Sequence, residues 1–123
     1  MKLFTVEEAN ALLPVVRPKL EKIKLHYART SNFRESVKAA ANESGGGGLK
    51  SGTQYVKSLY EIGKITTELH NLGIQLKDYS RGLIDFPFLK NGRVVLLCWQ
   101  LGENERIEWW HDTEDGFAGR KPL

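Results

Sequence analysis

Apolar positions Val16, Leu20, Ile23, Tyr27, Thr30 and Val37 recur three and four apart, with acids and bases between them. That is the spacing of a helix with one buried face, and it thins after Tyr27. Upstream, Thr5-Val6-Glu7-Glu8 is a capping box, which starts a helix at about Val6. Pro14 lacks the amide that a continuing helix needs, so the reading stops or kinks the helix near Leu13 and lets Pro14 open the next one. Pro18 is then either an early tolerated position or a second bend. A helix running on to about Ala41 would be on the order of 40 Å long, longer than a small domain is wide, so part of it should project.

Asn42-Glu43-Ser44 and Gly45 to Gly48 end that pattern, and a flexible connector over about 42–52 is expected. Tyr55, Leu59, Ile62, Ile65, Leu69 and Leu72 then mark a second helical face, with Gly73 where a left-handed cap is needed. Two such helices bury their stripes against each other as an antiparallel hairpin.

The last third switches to strand patterning. Leu83 to Leu89, the pair Asn91-Gly92, and Val94 to Leu101 read as a hairpin with a type I′ turn. A second turn near Gly102-Glu103-Asn104 leads to a strand over Arg106 to His111, with Ile74 to Asp78 as a fourth strand. Pro87 calls for an edge or a bulge. The tail from Asp112 to Leu123 reads as irregular, with Phe117 as an anchor. The fold class is α+β: a long antiparallel helical hairpin (about 5–73) on a three- to four-stranded antiparallel β-meander with its tail (about 74–123), one domain over 1–123.

The turns fix a register. Asp85 falls opposite Cys98, Pro87 opposite Leu96, Cys98 opposite Trp109 and Leu96 opposite His111. Alternation then puts Asp85, Cys98, Trp109 and His111 on one mixed face, and Ile84, Phe86, Phe88, Val95, Leu97 and Trp99 on the face meant for the helices.

Composition narrows the classes. An apolar share of 41% and a charged share of 27% over 123 residues are those of a globular domain, not a disordered chain. The longest apolar run, Val94 to Trp99, is too short to span a bilayer as a helix, and the opening residues lack the apolar core of an export signal. No membrane association is expected, and the cytoplasm is the expected compartment. A single cysteine removes intrachain disulfides and CxxC zinc motifs. The net charge of +3 is uneven, with bases in excess between Arg17 and Lys38, which keeps nucleic acid only as an unlikely partner.

Cys98 reads first as a small buried hydrophobe, and His26 and His70 as structural. A Cys/His/Asp nucleophile set is weakened because Cys98 and His111 are offset diagonally across neighbouring strands. Gly45 to Gly48 follows no strand and lacks the Lys-Ser/Thr ending of a phosphate loop.

Leu76-Lys77-Asp78, Gly82 to Pro87, Gly92-Arg93, Leu97 to Glu103, Trp110-His111 and Gly116 to Leu123, with the opening Phe4 to Asn10 and Leu12-Leu13-Pro14, resemble a prokaryotic domain-of-unknown-function family numbered 2203. The resemblance spans almost the whole chain and implies no settled activity. Its motifs coincide with the mixed face and the tail at Asp78, Asp85, Glu103, His111 and Arg120, which are the candidate binding residues. Asp85 and His111 could share a divalent ion or a proton, and Arg120 could clamp an anion; the competing reading has Arg120 pair with Asp85 or Glu103 and fasten the tail. No cofactor is named. The leading expectation is a non-enzymatic binding or assembly module that forms a homodimer through its helices. A metal-dependent or small-molecule enzyme comes second, and a nucleic-acid binder third.

Overall fold

A computed structural model describes residues 1–42 and 49–123, with side chains for 1–41 and 52–123. Two helices, α1 (Val6–Asn42) and α2 (Leu49–Asn71), precede four strands, β1 (Gln75–Asp78), β2 (Leu83–Lys90), β3 (Arg93–Gln100) and β4 (Trp109–His111). A short 3-10 turn over Phe117–Gly119 then leads into β5 (Lys121–Pro122). The sheet is antiparallel in the order β1-β2-β3-β4-β5. The α+β class with a helical hairpin and a meander is therefore as expected. The glycine run of the expected connector lies outside the described residues, and α2 already begins at Leu49, inside the connector's expected span.

The capping box forms as read: the Thr5 amide donates to Glu8 Oε1 and the Glu8 amide to Thr5 Oγ1, each at 3.0 Å. The helix does not stop near Leu13: α1 runs on through both Pro14 and Pro18. An interior proline costs about 3 kcal/mol. Leu13, Val16, Leu20 and Ile23 are wholly buried, and each such side chain contributes about 1.5–3 kcal/mol. Tertiary packing outweighs the local penalty.

Burial also corrects the stripes. Val37 and Leu59 are exposed, whereas Ser58 is buried and shares a 3.1 Å hydrogen bond with His26 Nδ1. Past Ile23 on α1 and before Ile65 on α2, no residue among those described belongs to the main core; there Phe33 stacks on Tyr55 and Tyr27 on Tyr79. The α2 terminus closes with Gly73 at φ +90, its amide bonding His70 O while the Ile74 amide bonds Leu69 O.

In the sheet, Asn91 (φ 51) and Gly92 (φ 78) make the left-handed turn that pairs Lys90 with Arg93. Pro87 stands in an interior strand, but β1 pairs β2 no further than Asp85, so its missing amide costs no ladder bond there. Its carbonyl accepts from Phe4 N at 2.8 Å, and the register shift of β1 lies at Leu76/Asp78 instead. Ile84, Phe86, Val95, Leu97, Trp99 and Trp110 form the core with the helices.

Two expectations fail at the end of the chain. The strand read over Arg106 to His111 begins only at Trp109, and the tail is not irregular: Trp109 pairs with Pro122 and Trp110 with Lys121. This two-residue strand covers the edge that β4 would otherwise leave open.

Candidate functional site

The register that builds the mixed face is the one the turns imply. Asp85 faces Cys98 across β2 and β3, and Leu96 faces His111 across β3 and β4. Asp85 and His111 thus flank β3 from opposite sides, and their side chains reach over it to meet. His111 Nε2 lies 3.1 Å from each Asp85 oxygen, and both residues are buried, at 1% and 3% exposure. On the other side of the ring, His111 Nδ1 is 2.8 Å from the Asp112 carbonyl. A carbonyl only accepts, so Nδ1 carries a hydrogen and Nε2 is the nitrogen turned to the carboxylate.

Cys98 completes the cluster. One donor atom from each of Asp85, Cys98 and His111 lies within 4.8 Å of the other two. The diagonal offset does not keep Cys98 from His111, since their donor atoms lie within that same 4.8 Å. Burial pushes the Cys98 thiol up to about 12, with the Asp85 carboxylate adding to the effect against the Arg120 charge. Burial also raises Asp85, opposed by the neighbouring His111. Such a thiol is a hydrogen-bonded neutral group and no ready nucleophile.

Asp85 and His111 line a cleft of about 360 Å³ together with Leu83, Leu96 and the loop carrying Thr113, Glu114 and Asp115. Lys77 and Asp78 line it as well. Sequence reasoning did not find Lys77 or the 113–115 loop, because nothing in a polar loop's composition says where it folds back. Cys98 was visible but read first as packing, and its nucleophile set with Asp85 and His111 was discounted for the diagonal offset.

The other candidates are placed elsewhere. Asp78 lines the cleft, yet its Oδ1 accepts from Ser80 Oγ (2.7 Å), Ser80 N (2.9 Å) and Arg81 N (3.1 Å), closing the turn into β2. Arg120 does not meet Asp85 or His111. Its Nη2 donates to Glu103 Oε1 at 2.8 Å and reaches the Cys98 carbonyl at 3.5 Å, and the guanidinium lies 5.1 Å from the Trp109 ring and 4.5 Å from Phe117. Arg81 contacts the same Phe117 ring at 4.2 Å and grips Gln100 through two nitrogens. The Glu103 carboxylate also accepts from the Gln100 amide at 2.7 Å. Arg120, Glu103 and Phe117 therefore fasten the tail over β3 and β4 and roof the buried cluster.

A family model described as "Uncharacterized conserved protein (DUF2203)" matches residues 2–123. The chain belongs to this family. As a DUF2203 member it carries the matched pattern through both the helical hairpin and the sheet, so the cluster, its cleft and the tail all lie inside the family's span. No curated protein and no solved structure matches the chain. Among the described residues, no helix is long and apolar enough to cross a membrane.

Proposed function

We propose that the protein is a non-enzymatic binding module that assembles with a second copy of itself through the outer half of its helical hairpin. The observation that carries this reading is a groove of about 720 Å³ between α1 and α2, clear of the main core, lined by Leu25, Val56 and Tyr60. These three are 49%, 63% and 69% exposed, and an apolar strip of this kind on an exposed helix pair marks a contact surface. Lys22, Lys57 and Glu61 line the same groove. A two-fold contact sets each copy's Glu61 against the other's lysines, so the patch is complementary to itself, and two packed hairpins make a four-helix bundle. The non-enzymatic part rests on the engagement of Arg120 with Glu103, which commits the tail guanidinium to holding the tail and not to a ligand. The same reading places the chain in the cytoplasm, where a lone thiol stays reduced.

Light scattering at roughly tens of micromolar, where even weak dimers are populated, tests it. The expected result is a dimer that Val56→Glu with Tyr60→Asp converts to a monomer of unchanged circular dichroism. A wild-type monomer, a dimer indifferent to the double substitution, or a monomer that binds RNA or DNA through the same groove would overturn it.

A further inference from the structure

The space between Asp85 and His111 poses a problem of complementarity. Nδ1 of His111 is committed as a donor to the Asp112 carbonyl at 2.8 Å, so in the neutral ring Nε2 presents a lone pair. That lone pair points at a carboxylate, with 3.1 Å to each oxygen, and two acceptors cannot face each other without a cation between them. A proton satisfies this pair alone. The Cys98 thiol hydrogen-bonds Asp85 and brings a third, softer donor to the same place, within 4.8 Å of the other two and itself fully buried.

We propose that Asp85, Cys98 and His111 are three ligands of a divalent transition-metal ion of the zinc type, with its remaining position turned to the cleft. One sulfur, one imidazole nitrogen and one carboxylate oxygen are the donor set that zinc accepts, whereas magnesium and calcium call for oxygen alone. Bond lengths of about 2.0–2.3 Å around a tetrahedral ion separate its ligands by roughly 3.3–3.8 Å. Nε2 and the Asp85 oxygens need to open by only a few tenths of an ångström to reach that spacing. The Asp112 carbonyl on Nδ1 is the outer partner that fixes a metal-binding histidine's tautomer and aim. Binding releases the thiol proton and any proton shared by Asp85 and His111 to solvent, and the ion takes up the freed lone pairs. Asp78, Glu114 and Asp115 line the cleft with Asp85 and His111, against the single cation Lys77, so the approach to the ion is acidic on balance and favours a cation. This site lies on the sheet face away from the hairpin groove and does not depend on self-assembly.

The test uses the full chain stripped with a chelator and then titrated with Zn2+ and, separately, with Co2+. The expected outcome is one ion per chain, a Co2+ spectrum with tetrahedral d–d bands, and a thiolate-to-cobalt charge-transfer band. Cys98→Ser should abolish that band while circular dichroism is kept. It should also weaken Zn2+ binding by at least about 100-fold, beyond the roughly 10–100-fold that loss of an outer partner produces. His111→Gln should do the same; should either variant fail to fold, the wild-type cobalt spectrum decides alone. An octahedral spectrum without the thiolate band would place the ion on the cleft's carboxylates and overturn the proposal. So would a folded wild-type chain that takes up neither metal, which leaves the pair a proton-sharing contact. Tyr60→Asp should leave the metal titration unchanged, so failure of this site and failure of the dimer are read separately.

Discussion

Arg120 donates to Glu103 at 2.8 Å from a side chain that is only 9% exposed, while Glu103 also holds the Gln100 backbone amide at the end of β3. One ion pair thus ties the tail to the strand that carries Cys98. Around it, the Trp110 indole donates to Pro122 O and the Leu123 amide to Glu108 O, so the tail is held at three separate points.

Removing the guanidinium should therefore loosen the roof of the buried cluster. Arg120→Ala loses a charged hydrogen bond of about 1.5–3 kcal/mol and ring contacts of about 0.5–2 kcal/mol. The expected cost is about 2–5 kcal/mol, read from the urea midpoint at constant slope. Arg120→Lys should recover less than half of it, since an ammonium keeps the charge but cannot stack flat on Trp109 and Phe117.

Gly82 and Gly92 should respond differently to the same change. Both have positive φ, at +63 and +78, but a Cβ at Gly82 would come within 2.9 Å of Leu101 Cβ, whereas at Gly92 it meets open space. Gly92→Ala should cost about 1 kcal/mol, the strain of the left-handed backbone alone. Gly82→Ala should cost about 2–4 kcal/mol, because overpacking adds about 1–3 kcal/mol. Equal losses in thermal unfolding would contradict the close approach.

Asn10 joins the first helix to the loop before β4, with its Oδ1 accepting from the Ile107 amide at 2.7 Å. Asn10→Ala leaves that amide without a partner, at an expected cost of about 1–3 kcal/mol. Asn10→Asp keeps an accepting oxygen and removes an amide nitrogen that is buried without a partner, so its loss should be smaller. Hydrogen exchange at Ile107 distinguishes the two variants directly.

Stability should fall in acid partly through Asp78. Hydrogen bonds from the Ser80 hydroxyl, with the Arg81 and Ser80 amides behind it, hold the Asp78 carboxyl below its ordinary value of 3.8. A folded pKa lowered in this way contributes stability that is complete above the ordinary value and is lost as pH drops through the folded one. Wild type should therefore lose more stability than Asp78→Asn on acidification from about pH 5 to below the ordinary value. Parallel curves would mean that the turn does not hold the charged form.

Local chemistry determined the elements that are closed by neighbours in the chain. The Thr5–Glu8 box, the Asn91-Gly92 turn and the left-handed Gly73 each involve residues a few positions apart, and a two-residue turn leaves only one register for the strands it joins. Because side chains alternate strictly along strands, that register also put Asp85, Cys98 and His111 on one face. Tertiary packing decided the rest. It kept α1 continuous through two prolines, since buried Leu13, Val16, Leu20 and Ile23 outweigh the lost helical bonds. It exposed Leu59 and buried Ser58, because the hairpin's crossing sets which flank faces inward. It sent Arg120 to Glu103 instead of Asp85, and folded the 113–115 loop over the cluster. A stripe or a turn is written in a few consecutive residues, whereas the meeting of a tail with a distant strand depends on where the whole sheet places its edges.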